Sequence, residues 1–273
     1  MLLRVIVGMA MLPVLPLVIF FAPKWVLPIT ISLLSALAVF ELLGNTRFTK
    51  NKRVLVYALV TAAAVPPCYY FDLPGGTSIT GLFLFVFVLF VEALINPAET
   101  TFENICTVTM AGLAIPIFYS ALVRIMMLPE GRHVIMLPFI AALLTDTCAY
   151  FTGVLFGKRK LAPEISPKKT IEGALGGLIG CILGMIGYGL IEHYAFGNGV
   201  NLWYLGVYGL FGGVVGQVGD LSMSFIKREF GMKDFGNLLP GHGGILDRFD
   251  SLLFAAPMIE ILILIMPAIT LAA

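Results

Sequence analysis

Long apolar stretches separated by short polar runs fill the chain from end to end. A hydrocarbon core about 30 Å thick takes about 20 apolar residues of helix to cross. Nine stretches reach that length, at roughly 3–21, 25–43, 54–71, 78–95, 105–127, 134–156, 172–191, 202–223 and 251–271. The third and ninth contain prolines (Pro66 and Pro67; Pro257 and Pro267), which a bundle tolerates when neighbouring helices satisfy the freed backbone groups. The first has Arg4 and then an apolar run too long for a signal core, with no small-x-small cleavage site, so it reads as a retained helix. The pattern predicts an all-α polytopic membrane protein of about nine transmembrane helices.

Composition supports this. The 273 residues are 59% hydrophobic and 12% charged, whereas a soluble domain is about a quarter charged. Twenty-one phenylalanines exclude disorder, and a net charge of +1 gives no footing for nucleic acid. Cys68, Cys106, Cys148 and Cys181 lie far apart with no CxxC pair, as expected of small buried hydrophobes. Lysine and arginine set the orientation. With the N-terminus cytoplasmic, fourteen of the 17 basic residues fall inside, and only Lys24, Arg124 and Arg132 fall outside. An odd number of spans then puts the C-terminus on the extracytoplasmic side. The polar loops 157–171 and 227–250 share the cytoplasmic face, where nucleotides and metal ions are abundant.

The two halves differ in character. Residues 1–130 look like a lipid-facing scaffold, with Glu41, Glu92, Glu99 and Glu103 near span ends where water reaches. Residues 131–273 hold the glycine clusters, buried acids and basic loops, and form the expected catalytic region. Glycines four apart (Gly173 and Gly177; Gly176, Gly180 and Gly184; Gly209 and Gly213; Gly212 and Gly216) make stripes suited to close helix packing. The same approach would position the acid that ends the eighth span. His133 and His193 fall in outside loops and read as surface residues.

Candidate chemistry concentrates in three places. Asp146 lies deep in the sixth span, with Tyr150 and Gly153 on its face; it is either a hydrogen-bonding acid between helices or part of a polar site. Asp220 closes the eighth span, and a continuing helix would line Ser224, Lys227 and Arg228 below it. Residues 227–250 interleave Asp234, Asp247 and Asp250 with Lys227, Arg228, Lys233 and Arg248 around Gly-His-Gly-Gly. Carboxylates hold Mg²⁺ together with substrate phosphates, cationic side chains bind phosphate, and glycines let backbone amides approach an anion. Such a loop suits a metal–polyphosphate complex. The loop 157–173 supports two readings equally: basic residues against anionic lipid, or a phosphate seat at a helix N-terminus capped through Ser-Pro-Lys-Lys-Thr-x-Glu.

Residues 224–250, Ser-x-x-Lys-Arg-x4-Lys-Asp-x-Gly-x2-Leu-Pro-x-His-Gly-Gly-x2-Asp-Arg-x-Asp, resemble the signature of the phosphatidate cytidylyltransferases, or CDP-diacylglycerol synthases. Asp146-x-x-Ala-Tyr-x-x-Gly and Ser166-Pro-Lys-Lys-Thr-x-Glu-Gly173 resemble the same family. The resemblance implies a polytopic enzyme of the cell membrane that converts CTP and phosphatidic acid to CDP-diacylglycerol and pyrophosphate. It also implies Mg²⁺, a monovalent cation such as K⁺ in some members, and a homodimer. On it rests the expected division of roles. Asp220 and Asp247 would carry the divalent metal, with Asp250 completing or orienting the shell and Asp146 serving a second cation. Lys227, Arg228, Lys233 and Arg248 would neutralise the triphosphate, and Lys168 and Lys169 would hold the lipid phosphate. Ser224 and Asp234 join the substrate-binding set, while His242, Gly243 and Gly244 would shape a turn around phosphate. Glu260 either lines the cavity or pairs with another helix.

Three alternatives stand beside this. An ion-coupled transporter would use Asp146, Asp220 and Glu260 as an ion path. A CDP-alcohol phosphotransferase would need an Asp-Gly-x-x-Ala-Arg run that is missing here. A structural scaffold would leave the charged loop 227–250 unexplained.

Overall fold

The computed structural model describes residues 21–46, 48, 51–236 and 243–271. Seven of its helices are long and apolar enough to cross a membrane. The expected spans from 25–43 to 202–223 match them, with shifted ends. The expected first span, 3–21, lies outside the described residues apart from Phe21, as do Arg4, Arg47 and Lys50.

The chain forms two compact units, residues 1–124 with 234–248 and residues 125–233 with 249–273. In the first, α1 (Val26–Asn45), α2 (Lys52–Tyr70), α3 (Gly75–Ile95) and most of α4 (Phe102–Met127) bury Val39, Leu43, Val54, Ala58, Leu89 and Leu122. Asn51 caps α2 by accepting from the Arg53 N–H at 3.0 Å. Its amide also donates to Glu92 (2.8 Å) and Thr100 (3.1 Å). Here the expectation for two acids fails. Glu92 is 4% exposed and Glu41 fully buried, because protein N–H donors take the place of water: two side-chain amides on one oxygen of Glu92, and one backbone amide on each oxygen of Glu41.

The second unit holds α5 (Gly131–Val134), α6 (Met136–Phe156), a hairpin of β1 (Lys160–Ala162) and β2 (Ser166–Thr170), α7 (Ile171–Phe196), β3 (Gly199–Val200), α8 (Leu202–Glu229) and β4 (Ile269–Thr270). The helix α9 (Leu246–Ile265) starts within the residues of the first unit and continues through those of the second. The glycine stripes pack as expected. Along α7, a methyl on Gly173 or Gly177 would press on the carbonyls of Ala149 or Thr145, at 2.8 and 2.6 Å. Gly209 and Gly213 of α8 face Ile182 and Leu178 of α7, and Gly212 faces Ile259 of α9. Cys181, Met185, Leu205 and Tyr208 form the fully buried centre.

Three further differences from expectation have plain causes. Residues 157–171 form a short antiparallel hairpin, Lys160 opposite Thr170 and Ala162 opposite Ser166, where an open polar loop was expected. The ninth helix stops at Ile265, short of 271, because Pro267 has no N–H to continue it; the chain then pairs β4 with β3. His133 is half-buried and meets Glu192 at 2.8 Å, with Asn198 donating to the same carboxylate oxygen; Glu192 itself is fully buried. His193 is exposed, as a surface residue should be.

Candidate active site

In the second unit, α8 runs unbroken through Asp220, Ser224, Lys227 and Arg228, and Gly231 (φ 64°) turns the chain out of it. The expected polar stripe is therefore real. Ser224 lies one turn below Asp220, its hydroxyl 3.4 Å from the carboxylate. Gly219 brings α9 against α8: a methyl there would stand 2.9 Å from the Asp250 carbonyl oxygen. This close approach sets the acid that follows Gly219 beside the start of α9.

The hairpin supplies the cation. Thr170 caps α7 by accepting from the Gly173 N–H at 3.1 Å, which fixes the end of β2. Lys169, one residue earlier, forms an ion pair with Asp220. Successive strand residues face opposite ways, and Lys168 is exposed while Lys169 turns inward. The two lysines, expected to act together, are thus separated. Glu172 folds back to accept from the N–H groups of Lys158 and Arg159, tying the hairpin entry to α7.

Asp146 accepts from the Ser251 hydroxyl at 2.9 Å, and the Ser251 N–H donates to Asp250 at 2.8 Å. Asp250 and Lys227 are 6% and 7% exposed. The carboxylates of Asp146, Asp220 and Asp250 lie within electrostatic reach of one another, with Lys169 and Lys227 in the same field. Fully ionised, those five groups carry one negative charge in excess, which favours a further cation. Among the described residues, no three His, Cys, Asp or Glu side chains stand together as a cage. Mg²⁺ needs none, because one or two carboxylates plus substrate phosphates and water complete its octahedron.

Arg228 is engaged with the backbone. Its Nε donates to the Ile165 carbonyl at 3.1 Å and its Nη1 to the Met232 carbonyl at 3.0 Å. The guanidinium fastens the hairpin turn to the end of α8. Lys233, just beyond, is exposed.

The rest of the signature belongs to the first unit. Asp247 opens α9, and its Oδ2 accepts from the N–H groups of Phe235 (2.8 Å) and Gly244 (3.0 Å). Gly243 has φ 83°, a backbone conformation that a side chain would strain. Asp234 and Arg248 are exposed. His242 and Pro240 lie outside the described residues. Underneath, Glu41 accepts from the N–H groups of Ile245 (2.9 Å) and Leu246 (2.8 Å), and Asn45 donates to the Phe235 carbonyl at 2.6 Å. Neither Glu41 nor Asn45, nor Ser251 beside Asp146, stood out in the sequence as a site residue. An acid inside the apolar run of α1 was the available signal for Glu41.

A model of the cytidylyltransferase family matches residues 2–266. The chain belongs to this family. Among cytidylyltransferases, it is 36% identical over 246 residues to the phosphatidate cytidylyltransferase of Bacillus subtilis, spanning 87% of this chain and 89% of that one. It is 37% identical over 195 residues to the phosphatidate cytidylyltransferase of Staphylococcus haemolyticus, 71% of this chain and 72% of that protein. A shorter stretch of 135 residues is 47% identical to the Staphylococcus aureus enzyme of the same name, half of each chain. None of these relatives is a transporter by name, so the ion-path alternative gains no support.

Proposed function

We infer that this cytidylyltransferase joins CTP to phosphatidic acid, yielding CDP-diacylglycerol and pyrophosphate for phospholipid synthesis. A phosphate oxygen of the lipid attacks the α-phosphorus of CTP as the bond to the β-phosphate breaks, and pyrophosphate departs in line. The attacking phosphate is already a nucleophile, so the protein's work is positioning and charge neutralisation. The observation that carries this is the partly open cluster in which Lys169 pairs with Asp220 and Lys227 shares the field of Asp250, Asp220 and Asp146, in a chain of this family.

Asp220 and Asp250 have the donor chemistry to hold Mg²⁺ with the triphosphate; Asp247 is assigned to the same task from the signature, and Asp146 to a monovalent cation such as K⁺. Bound Mg²⁺ would neutralise phosphate oxygens as charge shifts to the leaving group. Lys227, nearly buried, presents a fixed point charge to phosphate. Lys169 holds Asp220 until substrate competes for either partner. Ser224 orients the Asp220 carboxylate, and Lys168, Lys233 and Arg248 draw anionic substrate from the exposed side. Asp234, His242, Gly243 and Gly244 shape the phosphate loop. Arg228 acts through the hairpin it ties.

The seven candidate spans, the first stretch at 3–21 and α9 make nine crossings of the cell membrane, with the N-terminus inside, the C-terminus outside and the site cytoplasmic. The fourteen-to-three bias of basic residues supports this orientation. Residues 131–273 carry the catalysis on the scaffold of 1–130, and the working form is a homodimer. Pyrophosphate release from purified protein given CTP, phosphatidate and Mg²⁺, each omitted in turn, tests the reaction. Release independent of phosphatidate would overturn it.

A further inference from the structure

We propose that Glu41 is a positioning residue for the cytidylyl transfer: from within α1 it fixes the signature loop that carries Asp247. The inference rests on the function proposed above. Glu41 is fully buried, and each of its oxygens takes one of two successive N–H groups at the start of α9, Ile245 at 2.9 Å and Leu246 at 2.8 Å. A carboxylate there also meets the positive end of the helix dipole.

Both described ends of the loop, Gly236 and Gly244, come close to that carboxylate. A methyl on Gly236 would lie 2.7 Å from Glu41 Oε1, and one on Gly244 would lie 2.5 Å from Oε2. Neither glycine has a positive φ, so the close approach of Glu41, and no demand of backbone conformation, accounts for the missing side chains. The hold passes on to Asp247. Asn45, one turn along α1 from Glu41, binds the Phe235 carbonyl, while the N–H groups of Phe235 and Gly244 grip the Asp247 carboxylate. The scaffold half of the chain thereby sets the direction of a signature acid.

Glu41→Gln in the full chain keeps size but leaves one acceptor for two amides and turns an NH₂ toward the other. We expect kcat to fall on the order of tenfold or more in protein that stays folded at the assay temperature, with a modestly lowered melting temperature. Hydrogen exchange at 245–246 should quicken by a similar factor. In a double-mutant cycle, Gly244→Ala should lower kcat in the wild type and add little on Glu41→Ala, where the methyl has room. Wild-type kcat and exchange in Glu41→Gln would overturn the proposal. So would full additivity in the cycle, or a loss of kcat that merely follows loss of folded protein. A wild-type protein without turnover would sink the transferase function alone, and the exchange comparison would still decide whether Glu41 holds the loop.

Discussion

Lys169 and Asp220 are paired in the substrate-free protein, their side chains 28% and 21% exposed. A divalent cation that takes Asp220 through Oδ2 competes with this lysine for it. Two unit charges about 4 Å apart attract by about 4 kcal/mol at an effective dielectric near 20, but desolvation returns most of it. Exposed pairs retain about 0.2–1 kcal/mol, so a partly buried pair sits near the upper end, about 1 kcal/mol. At about 1.4 kcal/mol per decade, that is roughly a fivefold handicap on the metal.

Lys169→Gln should therefore tighten divalent binding about fivefold while lowering kcat, since the displaced ammonium is no longer there to meet phosphate. Removing a positive charge near the metal acts in the same direction. Mn²⁺ titration followed by electron paramagnetic resonance reads the affinity without turnover, and the Mg²⁺ dependence of pyrophosphate release reads the catalytic side. Lys169→Arg keeps the charge and should stay within about twofold of wild type in metal affinity. Unchanged or weaker Mn²⁺ binding in Lys169→Gln would refute the displacement argument.

Asp247→Ala should remove at least about 99% of turnover in protein that still folds and purifies, and substantial residual activity would take it out of the metal shell. Arg228→Ala loses two hydrogen bonds to the carbonyls of Ile165 and Met232; proteolysis or hydrogen exchange should show residues 158–170 loosened, and Arg228→Lys should rescue poorly because one ammonium does not reproduce the fork. Gly177→Ala drives a methyl to within 2.6 Å of the Thr145 carbonyl and should cost about 1–3 kcal/mol, seen as a lower melting temperature in detergent. Gly187→Ala, on the same helix with nothing within 4 Å of the added methyl, should be neutral or stabilising by up to about 1 kcal/mol.

Helix positions were legible because the solvent for each span is hydrocarbon, and a run of apolar residues has few other uses. The polar stripe of α8 was legible for a local reason: spacings of four, seven and eight fix a face once the helix continues to Glu229. The glycine stripes were legible as packing surfaces, although their partners were not, since a stripe says only that something comes close. Non-local pairing escaped. Nothing in the sequence says that Lys169 would reach Asp220, 51 positions away, or that Arg228 would serve the Ile165 carbonyl, 63 positions away. Glu41 escaped because position near a span end suggested water, whereas the structure supplies amide hydrogens from residues 204 and 205 positions on. The hairpin was missed since five residues of Ser-Pro-Lys-Lys-Thr carry no apolar alternation to mark a strand.

The acids sort into two kinds by what surrounds them, and the sorting separates scaffold from site. Glu41 is held by backbone N–H groups, Glu92 by the amides of Asn51 and Asn96 with the exposed Arg53 3.7 Å away, and Glu192 by Asn198 with His133 alongside. Each fastens a loop or helix end to a helix, mainly through backbone and side-chain amides that are fixed by the fold and do not exchange. Asp220 and Asp250 face lysines, and with Asp146 they crowd negative charge into one field. Crowding like charges is costly in a low-dielectric setting unless a mobile cation relieves it. The lysines and surplus charge mark the place where ions and phosphates are meant to come and go, and the amide-held acids mark what must stay still while they do.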